Sequence, residues 1–300
     1  MGHEQKGTRV LITTRILAFF WLAGSFTGIT LAQETNDGLD TKAWGKAYSL
    51  VARRIRVDVG SGQPAKWVET PMLSWDNPIR IGRTEGDFFV WLHNDRPALV
   101  GTVFSYDWPS RSRTNRSISL EFHGVSNVAT RVSYGQRELW KLPEDGISSI
   151  PLDVPKPRER RIQRRIQMRQ IASRIQAETT YRNETQQLRL MPNPVYRFDL
   201  PESGSADGLV LDGAIFAMVT GTDPELLLVV EALRTSPSSK AYEWQLKPVR
   251  FTDLPLKLTL PSNDTLEMPS RFDDPLYFAA HRFFVVPTEL GETAEQMIAQ

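Results

Sequence analysis

From Trp44 onward the chain alternates short runs of Val, Ile, Phe, Tyr and Trp with clusters of Gly, Pro, Asn and Asp. That is the signature of strands separated by turns. Up to Leu152 the runs predict strands at 50–59, 67–75, 87–93, 98–108, 117–125 and 129–134. In one of them Ile118, Leu120 and Phe122 alternate with Ser117, Ser119, Glu121 and His123, the period of a strand with one wet face. The pattern changes over 156–185, where straight-chain residues dominate and Gly and Pro vanish after Pro157. This segment predicts a helix, with Met168, Ile171, Ala172 and Ile175 on one apolar stripe and Ile162 and Ile166 off it. Strand runs return at 188–191, 195–199, 209–220, 225–233, 244–251 and 256–260, and 291–300 reads as a short terminal helix.

The fold class expected from this order is α+β, predominantly antiparallel β with one central basic helix. The chain divides into a leader at 1–32, a flexible lead at 33–43, a β-rich lobe at 44–155, the basic connecting helix at 156–185 and a second β-rich lobe at 186–300. The lobes carry one echo. GDFFVWLHNDRPALVGTVFSY and GAIFAMVTGTDPELLLVVEAL each run as an apolar strand after Gly, a turn with Asp and Pro, and a second apolar strand. Both predict hairpins, with Asp95 and Asp223 as turn acceptors and Pro97 and Pro224 fixing the backbone. An internal duplication and the ordinary likeness of hairpins both account for the pair.

The leader predicts export. Lys6, Arg9 and Arg15 precede an apolar stretch from Ile16 to about Phe26, and Thr30 and Ala32 place small residues before a cut at Gln33. The alternative is a retained anchor, because 16–32 falls only slightly short of the roughly 20 apolar residues that span a bilayer. No other stretch reads as a membrane span. With the leader gone the net charge is about −1, so global charge selects no partner. The absence of cysteine excludes a lipobox thiol, a disulfide framework, thiolate catalysis and cysteine-ligated zinc.

No glycine-rich phosphate loop, nucleophile elbow or HExxH helix is present, so nothing calls for a cofactor. Downstream of the leader the histidines are His93, His123 and His281. Glu121 and His123 leave the same face of a strand, as an acid/base pair or a start of a metal site requires, and His93 beside Asp95 would join them if the strands were neighbours. The competing reading is a solvated face and a turn, and no metal site is assigned. The tract 156–174 carries eight basic residues against Glu159 alone. Within it Arg160, Arg161, Arg164 and Arg165 are candidates for binding an anionic surface, against the plainer reading of an exposed helix whose arginines pair with the fold. Tryptophans at 67, 75, 91, 108 and 140 suit either a sugar-stacking platform or core packing.

WDNP (75–78), EFHG (121–124), LRLMPNPVYRFD (188–199) and LDGAIFAMVTGTDPELLLVVEA (211–232) together resemble a group of exported planctomycete hypothetical proteins with no assigned activity. The resemblance runs from about 67 to 260. It implies a bacterial exported protein and gives no residue a role.

The expected function is therefore that of an exported, non-catalytic binding or cell-envelope protein. Its expected partner is a glycan, an envelope component or a protein, with nucleic acid disfavoured. The alternatives are a hydrolase or metal-dependent enzyme using Glu121 and His123 with His93, and an anion-binding module using the arginine-rich helix.

Overall fold

The computed structural model describes residues 41–77, 84–106, 117–144, 148–234, 239, 241–271, 273 and 281–285. The leader, residues 33–40 of the lead, Trp108 and the segment 291–300 lie outside them. The described residues belong to one compact unit, Gly38–Gln300.

One topology runs through the chain twice. The first pass is α1 (Thr41–Arg53), β1 (Ile55–Val59), β2 (Gln63–Pro64), β3 (Lys66–Trp67), β4 (Leu73–Asn77), β5 (Thr84–His93), β6 (Arg96–Tyr106), β7 (Ser117–Gly124), β8 (Thr130–Tyr134), β9 (Arg137–Leu142) and β10 (Ile150–Pro151). The second is α2 (Arg161–Ser173), β11 (Gln176–Tyr181), β12 (Glu184–Gln187), β13 (Arg189–Leu190), β14 (Tyr196–Arg197), β15 (Val210–Thr220), β16 (Asp223–Arg234), β17 (Tyr242–Arg250), β18 (Leu256–Thr259), β19 (Thr265–Met268) and β20 (His281–Val285). Each pass builds a four-stranded sheet, β2-β1-β8-β9 and then β12-β11-β18-β19. Each also builds a larger sheet around a long hairpin, β7-β6-β5-β3 and then β17-β16-β15-β13, with β4 and β14 beside β5 and β15.

The last strands are exchanged. β10 of the first pass pairs with β17 of the second, and β20 pairs with β7 of the first. Neither six-stranded sheet is complete without a strand from the other half.

The two hairpins match in detail. Both slip register just before the turn, at Trp91/Leu92 and at Met218/Val219, where Pro97 and Pro224 sit opposite Leu92 and Val219. A proline has no N–H for the ladder, so a bulge is where it fits. Asn94 and Asp95 turn the first hairpin at φ 51 and 59, and Gly221 turns the second at φ 64. Both turns therefore use residues that tolerate the left-handed region.

Alternation along these hairpins explains the layering. Phe88, Val90 and Leu92 of β5 meet Ile215, Ala217 and Val219 of β15 and Leu227 and Val229 of β16 in a core between the two large sheets. The other face of β5 sends Phe89 and Trp91 to a core closed by α1 and the first four-stranded sheet. The other face of β15 sends Ala214, Phe216 and Met218 to a matching core closed by α2 and the second. Each long strand is thus apolar on both faces because both faces are covered, each buried side chain contributing about 1.5–3 kcal/mol.

The mostly antiparallel β expectation holds, with two helices among the described residues where the sequence reading names one. α1 begins at Thr41, inside the expected flexible lead, and takes the first residues of the expected strand 50–59. Its residues Trp44, Ala47, Tyr48, Val51 and Ala52 are all buried. α2 runs only from Arg161 to Ser173; residues 156–160 of the expected helix precede it without helical structure, and beyond it lie β11 and the start of β12. Thr179 to Tyr181 pair with Gln186 to Glu184, a hairpin closed by Arg182 and Asn183 at φ 50 and 66.

Candidate functional site

β7 is a central strand, with β6 on one side and β20 on the other. Its residues Ile118, Leu120 and Phe122 turn into the first core, so Ser119, Glu121 and His123 turn to the opposite face, toward the second half. The sequence reading of the alternation was right about the core face. The opposite face, expected to be wet, is closed by the other half: His123 is 0% exposed. Its ring stacks on Phe251, 4.0 Å between centroids, and Phe251 belongs to the core between the large sheets.

Glu121 and His123 do form a pair, Nε2 to Oε1 at 3.1 Å, with the Glu121 side chain 12% exposed. Burial drives the His123 imidazole well below its usual pKa, opposed only partly by the Arg250 backbone and the Asp253 charge. Glu121 and His123 both belong to β7, so their contact joins no two strands, and the neutral imidazole packs against Phe251 of the core between the large sheets. To act as a general base it needs a path to a substrate proton, and its ring face is covered by Phe251.

His93 does not join the pair. It ends β5 at the hairpin tip, where its Nε2 lies 3.2 Å from Asn94 Nδ2, and Asp95 is exposed beside it. His93 pairs with Arg96, whereas His123 pairs with Val100 four residues further along β6. Ordinary strand spacing and rise put the two histidines on the order of 16 Å apart. The ladder instead brings His281 of β20 opposite His123. Among the described residues no group of three or more His, Asp or Glu is placed to hold a metal ion.

The arginine tract separates into two populations. Arg164 is 1% exposed and donates from Nε to Asp212 Oδ2 at 2.9 Å, while its other nitrogens reach the carbonyls of Arg158, Glu159 and Glu202. Asp212 also accepts from Arg197 at 2.6 Å. Arg161 donates to the Phe198 carbonyl at 3.0 Å and lies 3.8 Å from Asp199. Arg160 precedes the helix as its N-cap without a side-chain cap bond, and Arg165 is exposed. Of the four candidates, Arg164 is thus structural, Arg161 is half committed, and Arg160 and Arg165 face solvent. Trp75, Trp91 and Trp140 are buried, which leaves them no stacking face for a sugar, and Trp67 is partly buried against the first core.

The densest buried charge lies where the sequence reading did not look. Glu231 of β16 is 2% exposed and receives Lys247 Nζ at 2.6 Å on Oε2 and Arg96 at 2.9 Å on Oε1. Lys247 also donates to the Val125 carbonyl at 3.3 Å. The two cations hold the Glu231 carboxyl below its usual range despite complete burial. The signal was present as one acid inside LLLVVEAL and one base inside QLKPV, since charged residues within apolar runs are rarely buried without partners. Because Arg96 and Val125 come from the first half, the cluster ties the halves across their interface. The tip of the second hairpin reciprocates, with Asp223 accepting from Asn77 at 2.8 Å and Thr222 bonding Asp76.

Comparison with family models, with curated proteins and with solved structures finds no match to the chain.

Proposed function

We propose that the chain is an exported, non-catalytic protein that acts by binding or as a component of the cell envelope. The observation that supports this most directly is the placement of the Glu121–His123 pair, the strongest candidate for acid/base chemistry, inside the layer that joins the two halves. Catalytic groups need access and a tuned proton affinity near the working pH, whereas this imidazole is buried and held neutral. The buried ion pairs around Glu231 and Asp212 are structural too: they fasten separate elements to one another. What remains for partners is the outer surface, with the basic helix α2 its most distinctive part. The leader supports export by a bacterial secretory route, with Gln33 as the first mature residue.

The test is a screen of the purified protein on chromogenic esters, glycosides and phosphomonoesters, together with metal analysis after purification without added ions. The expected result is no turnover and no stoichiometric metal. Turnover that disappears in Glu121→Gln overturns the non-catalytic reading. N-terminal sequencing of the chain recovered outside the cytoplasm tests export. A start at Gln33 supports cleavage, and an intact Met1 in the cytoplasm overturns export.

A further inference from the structure

The repeated topology supplies an internal control. α1 and α2 occupy equivalent places, each opening its half and each closing a core over the outer face of a large sheet. Each buried residue of α2 has a buried counterpart on α1, Arg164, Met168, Ile171 and Ala172 answering Trp44, Tyr48, Val51 and Ala52, while α1 also buries Ala47, whose counterpart Gln167 is partly exposed. What the fold requires of this helix is therefore its inner face. The outer faces differ. From Trp44 on, α1 exposes Lys46 and Arg53 and half-covers Gly45, Ser49 and Leu50. α2 exposes Ile162 and Ile166, 61% and 53% accessible, the exposed large hydrophobic residues among those described. Arg165 and Arg169 stand beside them on the same helical face.

Around that crest Lys156, Arg158, Arg160 and Arg174 are exposed as well, and none of these six bases forms an ion pair with a described residue. Glu159 is the acid in the same stretch. An isoleucine pair left in water gains nothing for folding, and like charges crowded on one helical face repel one another. Both costs disappear when the face meets a surface that offers anionic groups and an apolar layer together.

We infer that the outer face of α2 docks on an anionic lipid bilayer, with Ile162 and Ile166 entering the headgroup boundary and the surrounding arginines on lipid phosphates. The face is the convex side of a single helix, which suits a flat surface. Acidic glycans and nucleic-acid backbones satisfy arginines but give aliphatic crests nowhere to go, whereas the bilayer interface takes both. The inference deepens the envelope reading above by naming the partner.

The experiment is co-sedimentation of the unit Gly38–Gln300, which contains every described element and all three cores, with vesicles of phosphatidylcholine alone or with about one third phosphatidylglycerol. Binding is expected to the anionic vesicles only and to fall steeply with salt. Arg165→Gln with Arg169→Gln is expected to weaken it about 25-fold, taking about fivefold per basic residue near a charged membrane. Ile162→Ser with Ile166→Ser is expected to weaken it several-fold without changing the circular dichroism spectrum or melting temperature. Equal binding to neutral vesicles, no binding at all, or binding unchanged in both double variants overturns the inference. So does retention on heparin with none on vesicles, which would point to an acidic glycan. Turnover in the enzyme screen would sink the non-catalytic reading while leaving a positive vesicle result standing, so the two fail separately.

Discussion

His123 of the first half and Phe251 of the second stack with their ring centroids 4.0 Å apart, so an imidazole forms part of the seam that joins the two halves. Its surroundings decide its charge. Burial lowers its proton affinity, and although the Arg250 backbone and the Asp253 charge both favour the protonated form, burial outweighs them and the folded imidazole stays neutral. In the unfolded chain the same group takes a proton below about pH 6.5. Above that pH it is neutral in both states and contributes no pH dependence. Below it the unfolded state binds a proton that the folded state does not, so stability falls as pH falls, by at most about 1.4 kcal/mol per pH unit. Urea unfolding at pH 7.5 and 5.5 is expected to show a loss of about 1.4 kcal/mol that is absent in His123→Val. An equal loss in the variant would place the sensitivity elsewhere.

The seam also contains Glu231, whose carboxylate is shared by Lys247 and Arg96. Removing the shared partner strands a fully buried ammonium. Glu231→Leu is expected to cost about 3–5 kcal/mol, and Glu231→Leu with Lys247→Met to recover most of it, because an apolar pair of similar volume needs no compensation. A double-mutant cycle by urea denaturation measures the coupling. If the double variant is as unstable as the single one, Arg96 or the Val125 carbonyl carries the penalty instead.

The same contrast divides the arginine tract. Arg164→Met removes one of the two cations that hold Asp212 and is expected to destabilise by about 3 kcal/mol. Arg165→Gln, one residue along on the exposed face, is expected to stay within about 0.5 kcal/mol. Comparable losses in both variants would mean that the exposed face also packs on the fold.

Much of the fold was legible because strand alternation is a local signal. The hairpins β5–β6 and β15–β16, β7, β8 and β17 stand close to where their apolar runs placed them, and Met168, Ile171, Ala172 and Ile175 are buried as one stripe. α1 was legible in principle. Trp44, Ala47, Tyr48, Val51 and Ala52 keep helical spacing, but Trp, Tyr and Val favour strands on average, and the end of the run merged with β1. β11 and β12 hid in a polar stretch, QAETTYRNETQQ, whose pairing depends on a turn at Arg182 and Asn183 rather than on hydrophobicity. The site was illegible for a different reason. One strand shows that Glu121 and His123 share a face, but what covers that face lies in the other half of the chain, more than a hundred residues away.

The exchange of β10 and β20 makes the sheet edges unequal. β3, β13 and β10 are two-residue strands, and Pro151 further blunts β10, so three of the four outermost strands of the large sheets offer little edge for another chain to extend, while the fourth, β20, runs five residues. β7 is different: eight residues long, with Ile118, Leu120 and Phe122 on one side, it is protected by β20 over five register pairs from Ser119 to His123. A chain ended before His281 exposes that ladder. At roughly 0.5–1.5 kcal/mol for each backbone bond lost, the truncation is expected to cost about 3 kcal/mol and to create a strand that pairs with a second copy. Sedimentation at two concentrations is expected to show monomer for the full unit Gly38–Gln300 and concentration-dependent association for the truncated one. A synthetic peptide spanning His281 to Val285 with a few flanking residues is expected to suppress that association, because it restores the missing strand without the rest of the tail. A truncated chain that stays monomeric with an unchanged melting temperature would mean that β7 does not depend on the other half for its edge.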